Sequence, residues 1–546
     1  MTRSSVVALL ACLLAAPLGA QQPDPRLEPG AVAPLLEGLG SVHFPITTNS
    51  ERAQRFFDQG LRLSYAFNHP EALRAFKEAQ RLDPKCAMCY WGEGLVLGPN
   101  INSPTLTKEQ ERDAWAAARQ ADRFKKAATA VERALIQALG QRYARKGGDR
   151  ATLDRAYADA MAAAAATHLD DLDVQSLYAE SLMDLTPWAY WTQDGAPTQH
   201  TTKIMGILES VLARDPKHTG AIHFYIHTVE AGKPDLALPG ADRLGDLAPS
   251  AGHLVHMPAH IYIRTGHYLK AAEANVRAIA ADENYIEQCR AQGTYPAYLY
   301  PHNIHFLWAA ASFEGRSGLA LESARKMASK LTPEHTCGPA SVQDWAVVPY
   351  YALVRFGRWQ EILDEKPLSE KAYAAAIRAW ARGMALANLG RGEEAQAELR
   401  ALEKVQASAE IQQDVVGFDK AATVLEIPKA QLAGEIARQA GRLDEAIAAF
   451  QKAVEVQDGL RYNEPPEWHQ PMRHVLGSAL VQARRYADAE RVYREDLKEN
   501  RENGWALYGL LQALRGQRKH QEAREVDARF RKAWERADVA LTASRF

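Results

Sequence analysis

The stretch Gly434-Glu-Ile-Ala437-Arg-Gln-Ala-Gly441-Arg-Leu-Asp-Glu-Ala446-Ile-Ala-Ala-Phe450-Gln-Lys-Ala453 decides the fold. Gly434 and Ala437 stand three apart before a glycine turn. Ala446, Phe450 and Ala453 stand four and three apart after it. Residues at those spacings share one face of a helix, and Gly441 marks the break between two helices. Small residues let the two helices approach closely, and Phe450 fills the gap between them.

Working outward, the same arrangement recurs. Gly383, Gly390, Ala395 and Leu399 fit one unit, Gly477, Leu480, Ala489 and Tyr493 another, and Trp505, Gly509 and Gly516 begin a looser last one. The mixed charge from Arg524 to Arg536 suits a solvated capping helix. Near the other end, Phe56, Gly60, Leu63, Ala72, Phe76, Ala79 and Pro84 repeat the pattern, and Gly60 returns as Gly94. This spacing resembles the tetratricopeptide repeat, a helix-turn-helix unit of about 34 residues. The resemblance spans roughly residues 51 to 540 and is weakest in the middle. It implies an all-α fold, a right-handed α-solenoid superhelix of nine or ten hairpins. It also implies a concave groove lined by first-helix positions.

Alanine is frequent and β-branched runs are rare, which favours helix. A net charge of −2 gives no argument for nucleic acid or an anionic membrane. Arg3, the apolar run Val6 to Leu18 and Gly19-Ala20 before Gln21 read as a secretory signal over 1–20, so a periplasmic or secreted protein is expected. A Pro-rich leader follows over 21–50, then hairpins over 51–200, a histidine-rich section over 201–340, and the C-terminal array over 341–546. No later apolar run is long enough to span a membrane. After export Cys86, Cys89, Cys289 and Cys337 remain, which permits two disulfides in three pairings. The Cys86-Ala-Met-Cys89 motif reads as a local disulfide or buried thiols before any redox role.

Nine of the 17 histidines fall between His218 and His305. His223 and His227 are four apart, and the pair returns 33 residues later as His256 and His260. His253 precedes His256 by three, as His302 precedes His305. Counted from Pro216 and Pro249, and for His302 and His305 from Gly315 set against Thr265-Gly266, these side chains occupy repeat positions 2, 5 and 9, with Glu230 at 12, spanning ~80° of a helix. By the resemblance those positions face the groove. An insert over 285–301, with Tyr295, Tyr298 and Tyr300, interrupts the register; it is a packed connector or a lid.

Neutral imidazoles four apart on a helix suit copper or zinc better than magnesium or calcium. His223, His227, His253, His256, His260, His302 and His305 are therefore the candidate metal ligands. Glu230 is a candidate acid/base, and equally a ligand or an imidazole's partner. Arg264 is placed to hold an anionic group or to pair with an acid, Trp188 to floor a pocket, and Tyr351 to extend the wall. No HExxH, GxGxxG, phosphate-binding loop or GxSxG names a reaction. The alternative is a non-enzymatic scaffold holding a small molecule, a peptide or a protein partner in the same groove. His218 and His267 fall at helix ends and read as structural.

Overall fold

A computed structural model describes residues 30–289, 291, 295–331 and 344–546. The signal segment, Cys337 and part of the 285–301 insert lie outside the described residues. The chain is an all-α array of helical hairpins. Among the described residues the one strand pair is Val415–Val416 with Asp419–Lys420. None of the described helices is long and apolar enough to cross a membrane.

The chain forms two compact units, residues up to 261 with 276–300, and residues 262–275 with 301–546. In the first, helix Glu51–Tyr65 pairs with His69–Leu82. Ser50 caps one by accepting from the Ala53 N–H, and Asn68 caps the other through the Glu71 N–H. The leader runs along the first helix: the Leu36 N–H donates to Gln59 Oε1 at 2.7 Å, and Arg62 Nε donates to the Val42 carbonyl at 2.7 Å. Cys86 and Cys89 are disulfide-bonded at the start of helix Ala87–Val96, and Cys289 is buried.

The second unit repeats the motif more regularly, for example in Glu426–Gln439 with Leu443–Asp458 and in Gly504–Gly516 with His520–Ala533. The glycines do what their spacing predicts. A Cβ on Gly434 would lie 2.5 Å from the Phe450 ring, and one on Gly60 would lie 2.6 Å from the Phe76 ring. Neither helix pair closes if that hydrogen becomes a methyl group.

Several hairpin turns have one residue in the left-handed region two places before the second helix. Gly266, Gly315, Gly357, Gly390 and Gly441 hold that place in the second unit, with φ from 63° to 78°. Glycine adopts it without steric cost. Arg484 and Arg518 hold it in two later turns. In the first unit the same place, before His69, is held by Phe67 with φ 54°. An aromatic residue there is strained.

Candidate metal centre

Helix Thr219–Val229 carries the first histidine pair. All eleven of its residues are buried, so it has no solvent face and is held on every side. His218 begins it: its Nδ1 accepts from the Ala221 N–H at 3.1 Å, and its Nε2 lies 3.3 Å from Asp173. The other three histidines of the cluster come from Gly252–His256 and Pro258–Arg264. The spacing predicts one helix here, but the structure divides it at Met257. Pro258 has no N–H to donate back, so the ladder stops, and His260 N–H bonds instead to the Met257 carbonyl at 3.2 Å.

The result is a closed ring of five imidazoles. Ring centroids run His223 to His227 4.8 Å, His227 to His260 5.7 Å, His260 to His256 4.9 Å, His256 to His253 5.8 Å, and His253 to His223 4.9 Å. All five residues are at least 97 % buried, and Glu230 is 1 % exposed. One ring nitrogen from each of His223, His227 and His253 can be chosen so that all three lie within 4.8 Å of one another.

Three of the rings are anchored from behind. His223 Nδ1 lies 2.7 Å from the Tyr65 carbonyl, the last carbonyl of helix Glu51–Tyr65. His260 Nδ1 lies 2.8 Å from Glu230 Oε2, and His227 Nδ1 lies 3.4 Å from Glu230 Oε1. A carbonyl or carboxylate behind Nδ1 fixes the proton there and leaves the Nε2 electron pair facing inward. His223 Nε2 then stands 3.1 Å from His253 Nε2, and His260 Nε2 stands 3.0 Å from His256 Nε2. His227 Nε2 is buried with no hydrogen-bond partner among the described residues.

The electrostatics agree with neutral rings at His223 and His227. Burial first, and then His227, pull His223 well below the usual histidine range, and burial lowers His227 as well. Burial pushes Glu230 up, but the charge of His260 and the hydrogen bonds from both imidazoles outweigh it and draw the carboxyl down to about 2. Glu230 therefore stands as a carboxylate anion with one oxygen turned to each of two imidazoles.

Two aromatics close on the ring. Phe67 lies 4.5 Å from His223 and is stacked on His227 and His253 at 5.9 and 5.6 Å. Trp188, also left-handed with φ 60°, meets His227 edge-on at 5.1 Å. Sequence reasoning placed Trp188 but missed Phe67; its position in a turn that elsewhere takes glycine or arginine was the signal. Tyr295 of the insert is buried, accepts from the His253 N–H at 3.2 Å and donates to Asp282 at 2.7 Å, so this part of the insert packs as a connector.

The remaining candidates lie in the second unit. His302 packs against Phe306 and Trp345, and His305 is stacked on Trp308 at 5.2 Å. Arg264 pairs with acids: its guanidinium lies 3.7 Å from Glu464 and 3.6 Å from Glu499. Tyr351 shares a 3.0 Å hydrogen bond with Tyr373 and stacks on His469.

The fold defines a protein of the helical-hairpin repeat class. Residues 431–458 match the family model for the tetratricopeptide repeat, so the chain carries that repeat there. No curated relative matches its sequence. Among solved structures it is similar to the human IFIT1 dimer with m7Gppp-AAAA, at 11 % identity and TM-score 0.31, covering 90 % of this chain and 92 % of that one. It is also similar to the APC/C hetero-tetramer Cut9–Hcn1, at 13 % identity and TM-score 0.29, covering 91 % and 79 %. Likenesses that loose carry nothing about ligands.

Proposed function

We propose that this protein binds a transition metal ion, copper or zinc, in the imidazole ring of its first unit. The observation that carries the reading is the set of Nε2 atoms turned inward by anchors behind them, above all His227 Nε2, buried without a partner among the described residues. Two nitrogens each about 2.0–2.1 Å from one tetrahedral ion stand roughly 3.3 Å apart. The 3.1 Å and 3.0 Å pairs come close to that edge. In the metal-free protein each pair is explained by one N–H donating to the other ring, but His227 has no such donor. His223, His227 and His253 form the primary ligand set. His260 and His256 complete the shell or hold a second ion.

In this reading Glu230 orients His227 and His260 rather than exchanging protons, because both its oxygens face imidazoles and it stays ionised far below neutrality. A bound ion would supply Lewis-acid or redox chemistry; the chain's own residues hold the nitrogens and exclude water. A cavity of about 390 Å³ in the same unit, lined by Leu63, Ala66, Asn68, Ala251, Tyr285 and Tyr295 among others, offers room for a small molecule beside the residues that carry Phe67 and His253. Export to the periplasm or the medium, read from residues 1–20, belongs to the same proposal and matches nitrogen-rich copper or zinc ligation.

Elemental analysis of full-length protein purified without a histidine tag and reconstituted with copper or zinc tests the reading. One equivalent or more of tightly held ion is expected. Less than one equivalent of either would overturn it and leave a scaffold that binds its partner by contact alone.

A further inference from the structure

The second unit holds buried polar atoms that its own residues leave unsatisfied, and they cluster. Arg355, at the end of helix Val348–Arg355, is 4 % exposed. Its guanidinium lies 3.7 Å over the Trp505 ring. Nη2 donates to His474 Nδ1 at 3.2 Å, and His474 Nε2 donates to Asp496 at 2.9 Å. Nη1 is buried with no hydrogen-bond partner among the described residues. The same holds for Ser312 Oγ, the Trp308 indole N–H and both ring nitrogens of His469.

These groups are neighbours. Trp308 and Ser312 are four apart on helix Tyr300–Phe313, and Tyr351 and Arg355 are four apart on theirs, so each pair shares a helix face. Trp308 and Tyr351 are stacked at 6.4 Å, and His469 joins them at 5.6 Å and 4.4 Å. One turn further along, Trp505 lies under Arg355 and donates its indole N–H to the Ser312 carbonyl at 2.9 Å. The two helix faces are thus tied at both levels.

Buried polar groups in folded proteins are paired, and a charged donor left unpaired is the costliest exception. Here a guanidinium and an indole have donors to spare, and a hydroxyl and an imidazole beside them can each donate or accept. We infer that the second unit binds a small monovalent carboxylate between Arg355, Ser312, Trp308 and His469. An acceptor is required because Arg355 Nη1 and the Trp308 indole N–H can only donate. A single negative charge fits because Asp496, behind His474, already balances part of the guanidinium. The occupant is small because the surrounding rings stand only 4.4–6.4 Å apart, centroid to centroid. The site uses none of the imidazoles assigned to metal, so it stands or falls independently.

The test is a titration of full-length protein with sodium acetate, at ionic strength held constant with sodium sulfate, following the Trp308 indole N–H resonance identified through W308F. A saturable shift is expected in the wild type, with the midpoint about tenfold or more higher in R355Q and several-fold higher in S312A. Sulfate alone should leave the resonance in place. A shift that never saturates, or one with the same midpoint in wild type, R355Q and S312A, would overturn the inference. If R355Q does not fold, S312A and H469Q decide it by the same midpoints.

Discussion

Both units bury histidines, and the contrast between the two groups is instructive. In the second unit, His305 and His469 lie among Trp308, Tyr351, Trp380 and Trp468, and burial alone pulls His305 down to about 3. In the first unit the rings are buried as well, but three of them have a carbonyl or carboxylate behind Nδ1. Burial makes an imidazole neutral. Only an anchor decides which of its nitrogens faces inward, and that decides whether a group of histidines can hold an ion.

The strongest way to break the contrast is to remove imidazoles from each group. The double variant H227A/H260A should lose stoichiometric copper or zinc by elemental analysis while keeping its far-ultraviolet dichroism. H305A should keep its metal. Equal loss in both would erase the distinction. Removing an anchor instead of a ligand should have a smaller effect: E230Q should weaken metal affinity by about 10–100-fold in a chelator competition. No change in E230Q would show that the carboxylate orients nothing.

The pH dependence of stability sharpens the same comparison. His305 takes up its proton near 6.5 when unfolded but only at about 3 when folded. Between those values the unfolded chain binds more protons, so stability falls as pH drops from 6.5 toward 3, by up to about 1.4 kcal/mol per pH unit for this residue. Denaturant melts of H305Q should show a shallower acid limb; an identical limb would place the loss elsewhere. Glu467 has the opposite sign. Burial raises it from 4.5 to about 7, so the folded state holds the extra proton and stability falls as pH rises through that window. E467Q, with no proton to lose, should be more stable than wild type by about 1–3 kcal/mol above pH 7.

The smallest expected effect concerns the turns. F67G and F67A both remove the ring that covers three imidazoles, but only Ala keeps the left-handed strain. F67G should therefore be more stable than F67A by about 1 kcal/mol, measured by chemical denaturation. The reverse order would mean that the backbone at 67 is unstrained.

Much of this was legible in the sequence, for reasons that can be named. Gly434 with Phe450 and Gly60 with Phe76 write the helix contacts directly, because nothing larger than hydrogen fits. The pairs His223–His227 and His256–His260 follow from helical spacing and from their 33-residue shift. The break at Met257 did not follow, although Pro258 announces it. Nor did the bond from His223 to Tyr65, 158 residues away, because main-chain oxygens carry no letter in a sequence. Arg264 offered two readings, and only its contacts with Glu464 and Glu499 select between them.

That oxygen of Tyr65 has one further consequence. Substitution can erase every other support of the ring, but a carbonyl is present whatever residue stands at 65. The orientation of His223 is thus inherited with the end of a hairpin and not with any amino-acid identity. Comparable centres in other repeat proteins would escape a search by residue pattern and yield to one by backbone geometry.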